Sequence, residues 1–189
     1  MGANYLKELF SDMSGKNSLS ILNQKQFQDS IDYSLEKILT EKPLIFISMT
    51  RSAEDILTQV GEKKENLFII DVFSKETTFA NGIEPNIIYI SNPANLTSIQ
   101  IAVDKALKKF PSATILFDSL GVLSVYSEEK LFQKFIYLFN NKMNLLEGTV
   151  LFFAIKNTIE EEILSTVKQF CDKTYDFSEL YIASVELAH

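Results

Sequence analysis

The hydrophobic and polar positions along the chain form two alternating patterns. Some short segments are apolar at most positions and rich in Ile, Val and Phe, which is typical of strands buried on both faces of a sheet. Between them, apolar residues recur at the spacing of amphipathic helices. The segments that predict strands are 18–22, 44–49, 67–73, 86–91, 113–118 and 149–155. This order predicts a three-layer α/β/α sandwich with a mostly parallel sheet.

The helical segments are bounded by residues that commonly begin or end helices. Ser52, Asn95 and Ser127 are expected to be N-caps, and Gly61 is expected to end a helix. The helix that starts at Ser127 is expected to bury Leu131, Phe135, Leu138, Phe139 and Met143. The predicted helices span residues 3–13, 26–40, 52–60, 95–110, 127–146 and 158–170.

The remaining segments complete a single-domain prediction. Residues 74–85 are polar without periodicity and predict a loop. Two segments near the C-terminus, 173–177 and 181–187, alternate between apolar and polar positions and predict an antiparallel edge or hairpin. A length of 189 residues without an internal repeat fits one domain over 1–189, in which residues 1–17 form an N-terminal helix and turn.

The chain is acidic, with a formal net charge of −7. A surplus of negative charge disfavours contact with nucleic acids and with anionic lipids. No segment reaches the roughly 18–20 apolar residues that span a bilayer, and the first residues lack the apolar core of a secretory signal. We therefore expect a cytoplasmic protein with neither a nucleic-acid nor a membrane partner.

Cysteine and histidine are nearly absent. Cys171 is the only cysteine and His189 is the only histidine. This disfavours a metal site with several Cys or His ligands, and it disfavours a Ser-His-Asp or Cys-His catalytic arrangement on a rigid element. We expect no metal site.

One segment carries candidate chemistry. Residues 114–122, TILFDSLGV, end a predicted strand with Asp118 and Ser119. In nucleotide hydrolases, an acid at the carboxyl end of a buried strand holds Mg²⁺ through water. The alternative is an acid that caps the turn after the strand. The pattern alone leaves both interpretations open.

Several segments, in this order, resemble the RecA superfamily and most closely its KaiC-like branch, which is common in archaea. The similarity covers roughly residues 18 to 177. TILFDSLGVL is similar to the Walker B strand of the family, and PLIFISMTRSAEDIL is similar to the strand and helix that carry its catalytic acids. LFIIDVFS resembles the third strand, and NPANLTSIQIAVDKAL resembles the helix before Walker B. The resemblance implies a RecA-like P-loop NTPase fold.

The chain departs from the family at the phosphate-binding loop. The string G-x-x-x-x-G-K-[ST] occurs nowhere in the sequence. In that loop, main-chain N–H groups cradle the phosphates and the lysine neutralises them. The resemblance aligns the loop with residues 23–30, where Asn23 and Gln28 replace the glycines, Asp29 replaces the lysine and Ser30 keeps its type. These four residues, with Asp118 and Ser119, form the relict nucleotide site that the resemblance implies.

A second departure concerns the catalytic acids. The paired acids of the family align with Thr50 and Arg51, and neither side chain can act as a general base for water. Ser48 and Arg51 are instead candidates to contact a small anion. The alternative is an ion pair between Arg51 and an acid such as Asp118. We expect the carboxyl ends of the strands to form one rim that holds Asp71, Asp118, Thr50 and Arg51.

The resemblance and its departures favour a non-catalytic interaction or regulatory protein. Such a protein would bind a protein partner or a second copy of itself, and it would carry no cofactor, with Mg-ATP not expected to bind. One alternative is a sensor of a nucleotide or small anion at the relict site. Another is an ATPase of the KaiC-like family.

Overall fold

The computed structural model describes residues 4–74 and 86–179. Seven strands form one sheet in this part of the chain, and every strand pairing is parallel. The strands are β1 (Asn17–Leu22), β2 (Leu44–Ser48), β3 (Leu67–Asp71), β4 (Ile87–Tyr89), β5 (Thr114–Phe117), β6 (Thr149–Ile155) and β7 (Lys173–Asp176). Their order across the sheet is β4-β3-β2-β5-β6-β1-β7, so one strand, β6, separates β1 from β5.

Helices cover both faces of the sheet. They are α1 (Lys7–Asp12), α2 (Gln24–Glu41), α3 (Ala53–Val60), α4 (Leu96–Lys109), α5 (Leu120–Tyr126), α6 (Glu129–Leu145) and α7 (Glu161–Phe170). Successive strand residues point to opposite faces. Phe46 of β2 therefore belongs to the core beneath α1, α2 and α3, whereas Ile47 belongs to the core beneath α4 to α7. The predicted three-layer α/β/α arrangement is confirmed.

The predicted caps of two helices are also confirmed. Ser52 Oγ accepts the N–H of Asp55 at 3.1 Å at the start of α3. Asn95 Oδ1 accepts the N–H of Ser98 at 3.0 Å at the start of α4. Gly61 ends α3 with a φ of +57°, a backbone conformation in which a side chain would be strained.

The segment between β5 and β6 differs from the prediction. It contains two helices, because Ser119 accepts the N–H of Val122 and starts the unpredicted helix α5. The next helix, α6, has Glu128 and not Ser127 at its N-cap. Two side chains expected in the core are exposed, with Leu131 at 54% and Leu138 at 45% exposure. The prediction of a buried face that includes these two leucines was wrong.

The C-terminal strand also differs from the prediction. Residues 173–177 were expected in an antiparallel edge or hairpin, but β7 pairs with β1 in parallel. The reason is that α7 connects β6 to β7, and a helical crossover returns the chain to the same end of the sheet. The predicted strand 181–187 lies outside the described residues, as does the predicted loop from residue 75 onward. No helix in the described ranges has both the length and the apolar character needed to cross a membrane.

Candidate functional site

The connection between β1 and α2 lies where the resemblance places the phosphate-binding loop. β1 ends at Leu22 and α2 begins at Gln24, so Asn23 alone joins them. Asn23 Oδ1 accepts the N–H groups of Lys25 and Gln26, each at 3.0 Å. Gln26 Oε1 in turn accepts the N–H of Asn23 at 2.9 Å. This reciprocal pair is a capping box, which satisfies the N–H groups of Asn23, Lys25 and Gln26 without a ligand.

The amide groups of the capping box also bind the end of the described chain. Asn23 Nδ2 donates to the carbonyl of Ser178, and Gln26 Nε2 donates to the carbonyl of Phe177, both at 2.9 Å. Phe177 is held there because its N–H donates to the carbonyl of Ile21 at 2.9 Å. The segment after β7 therefore lies against the amino end of α2.

The other predicted residues of this region are helical. Gln28 and Asp29 are exposed in α2, and Gln28 Nε2 donates to Asp32 at 2.9 Å. Ser30 is fully buried, where its Oγ donates to the carbonyl of Gln26 and lies 2.7 Å from the hydroxyl of Tyr5. Gln28 and Asp29 therefore lie at the surface, whereas Ser30 lies in the interior. Their role in nucleotide binding stays a prediction.

Asp118 lies at the carboxyl end of β5 and is fully buried. Its carboxylate accepts the N–H of Met49 at 2.8 Å and the N–H of Thr50 at 3.2 Å. The Thr50 hydroxyl donates to it at 2.7 Å, and Ser48 Oγ lies 3.2 Å away. All four partners belong to the end of β2 and the β2–α3 loop, so Asp118 fixes that loop and does not cap its own turn.

Burial has a measurable consequence for Asp118. Removal from water raises the pKa of this carboxyl to about 6, although the hydrogen bonds from Thr50, Met49 and Ser48 act to lower the pKa. Desolvation disfavours the charged form, whereas donors to the carboxylate favour it. The donors offset only part of the burial effect, so the carboxyl titrates within a mildly acidic range.

Asp71, at the end of β3, also binds the β2–α3 connection. It is fully buried, and it accepts the N–H of Ala53 at 2.7 Å, which is the first residue of α3. It also accepts the N–H of Phe73 at 3.0 Å and both the N–H and the hydroxyl of Ser74. Asp71 and Asp118 therefore hold opposite ends of the β2–α3 loop, and the expected common rim is confirmed.

Arg51 projects from that loop, but it does not pair with Asp118. Its Nη1 donates to Asp32 of α2 at 2.9 Å and to Gln59 of α3 at 2.8 Å. The guanidinium lies 5.9 Å from the ring centre of Phe46. Its Nε and Nη2 are buried, and neither has a hydrogen-bond partner in the described part of the chain. Arg51 therefore forms an ion pair, but its partner is Asp32 and not Asp118.

Ser48 is engaged within the same loop. Its hydroxyl lies 2.7 Å from the carbonyl of Arg51, to which it donates, and it accepts the N–H of Arg51 at 3.2 Å. Ser48 and Arg51 are therefore neighbours, but the hydroxyl of Ser48 is engaged with the main chain of Arg51 and with the carboxylate of Asp118. Contact between these two residues and an anion stays a prediction.

The predicted site residues thus form two groups, one around Asn23 and one around Asp118. Two partners were missed by the sequence analysis. Gln26 carried a usable signal, because Asn-x-x-Gln before an apolar helix face fits a capping box. Asp32 carried no such signal in the sequence, because Asp32 and Arg51 are far apart in the chain and meet only after folding.

The fold is similar to that of a KaiC-like protein from the hyperthermophilic archaeon Pyrococcus horikoshii OT3, with a TM-score of 0.61 and 13% sequence identity. The match covers 88% of this chain and 73% of that chain. The chain has a KaiC-like fold of the RecA type. No protein-family model and no curated protein matches the sequence. At this identity, the KaiC-like similarity establishes the architecture and does not establish an activity.

Proposed function

We propose that this KaiC-like chain is a non-catalytic interaction or regulatory protein that does not hydrolyse ATP. The observation that supports the proposal best is the connection of a single residue, Asn23, between β1 and α2. A phosphate-binding loop needs several main-chain N–H groups arranged around the phosphates, and glycines allow that shape. At this position the capping box of Asn23 and Gln26 uses the donors internally. We propose that the Walker A loop is degenerate.

The residues around Asp118 fit the same proposal. A Mg²⁺ ion bound to a nucleotide requires a carboxylate and a hydroxyl with free oxygen lone pairs. The carboxylate of Asp118 accepts three donors from Met49 and Thr50, and the hydroxyl of Ser30 is engaged with Gln26 and Tyr5. This donor set does not fit a Mg-nucleotide, and neither Thr50 nor Arg51 supplies a general base.

The partners follow as part of the proposal. The net charge of −7 disfavours nucleic acid, so we propose a protein partner or a second copy of the chain as the binding partner. The cytoplasm is the compartment that we propose for this interaction, and the archaeal KaiC-like branch is the group that we propose for the chain. We propose that this interaction needs no cofactor.

One observation favours a second candidate, a sensor of a small anion. Arg51 has two buried donors, Nε and Nη2, that lack a partner among the described residues. A guanidinium with free donors is well suited to a phosphate or carboxylate. Against this candidate, Asp32 already neutralises Arg51 at a distance of 2.9 Å. The anion sensor is therefore the alternative that the test below must separate.

The test is thermal unfolding of the full chain with Mg-ATP, with Mg-ADP and with inorganic phosphate. A ligand at about 100 times its dissociation constant adds about 2.7 kcal/mol of stability, which raises the midpoint by roughly 5–10 °C in a domain of this size. We expect no shift with any of the three at millimolar concentration. Arg51→Gln is the matched variant, because it removes the guanidinium while Asp32 and Gln59 stay.

Each outcome separates the candidates. A shift with phosphate that disappears in Arg51→Gln would establish the anion sensor and replace our proposal. A shift with Mg-ATP that phosphate does not reproduce, accompanied by release of phosphate over time, would mean an active ATPase. Flat curves in all three conditions support the non-catalytic protein.

A further inference from the structure

We draw no further inference here: the strongest candidate, the exposed apolar face of α6 formed by Leu131, Leu138 and Leu145, carries none because nothing in the described part of the chain shows what covers it.

Discussion

The two buried carboxylates at the ends of β3 and β5 both accept hydrogen bonds from the β2–α3 connection. Asp118 occupies the position that resembles a Walker B acid, yet its donors come from the loop that follows β2. Asp71 binds the first N–H of α3 and the residues that follow β3. A buried carboxylate is costly unless donors surround it. Here the donors are main-chain and hydroxyl groups of the β2–α3 loop, of the start of α3 and of the residues after β3, so the conformation of the β2–α3 loop depends on both acids.

The raised pKa of Asp118 predicts a specific pH dependence of stability. Burial raises its pKa to about 6, whereas an unfolded chain has an Asp pKa near about 3.9. The native state therefore binds the proton more tightly, and the contribution of Asp118 to the free energy of unfolding decreases as pH rises from about 4 to about 6. At about 1.4 kcal/mol per pKa unit, this contribution amounts to roughly 3 kcal/mol.

The measurement is the free energy of unfolding in denaturant between pH 4 and 7, for the natural chain and for Asp118→Asn. We expect the difference between the two curves to change by up to about 3 kcal/mol over this range, because the amide does not titrate. Asp29→Asn controls for the loss of an acidic residue from the exposed surface of α2. Curves that run parallel for Asp118→Asn and the natural chain would contradict the assignment.

At the scale of elements, the junction of β1 and α2 is the most informative part of the fold. Its sequence, Asn23 to Ser30, aligns with a loop in the family, but the structure continues the helix through it from Gln24. The residues are compatible with a helix, because Gln, Lys and Asp are tolerated there and the glycines of a phosphate loop are missing. The helix start is then fixed by Asn23 and by the carbonyls of Phe177 and Ser178.

The capping role of Asn23 can be tested against Gln28, the other position where the family has glycine. Asn23→Ala removes both cap hydrogen bonds, and we expect it to lower the free energy of unfolding by about 1 kcal/mol. Gln28→Ala changes an exposed residue within the same helix, and we expect an effect within about 0.5 kcal/mol. Denaturant unfolding of both variants measures the difference. Equal effects would mean that the cap does not stabilise the junction.

At the scale of the whole molecule, the distribution of apolar surface separates the two faces of the sheet. The exposed large apolar side chains on the helices of the described chain are on α4, α5 and α6 or at their ends, and none lies on α1, α2 or α3. Helix α6 carries more exposed large apolar side chains than any other helix in the described ranges.

A second copy of the chain as the proposed partner would make the thermal midpoint depend on protein concentration. Folding linked to self-association is stabilised by mass action, so the midpoint should rise as the chain is concentrated. For a dimer we expect a rise of a few degrees between about 1 and 100 µM, since each tenfold change in concentration contributes about 1.4 kcal/mol per dimer when the dimer is populated. Scanning calorimetry measures this shift. A midpoint that stays constant over this range would favour a different protein as the partner.

The layers of the fold and the identity of most elements follow from the amino-acid pattern. Strands such as Leu44–Ser48 are apolar at every position except the last. The residues between the strands repeat at helical spacing, so burial on both faces leaves few other arrangements. Caps at Ser52 and Asn95 are local hydrogen bonds, and local signals can be read from adjacent residues. The absence of a G-x-x-x-x-G-K-[ST] string is likewise a property of the sequence alone.

The buried side of α6, the hydrogen-bond donors of Asp118 and the contacts of Arg51 depend on how the elements pack in the folded chain. The spacing of Leu131 and Leu138 predicts a buried helix face, but both side chains are exposed. Apolar periodicity alone does not say whether a helix face meets the sheet or water. Asp118 meets Thr50, and Arg51 meets Asp32, because parallel strands bring distant loops to one edge of the sheet. Contacts between elements far apart in sequence leave no local pattern, and for that reason they became visible only in the folded chain.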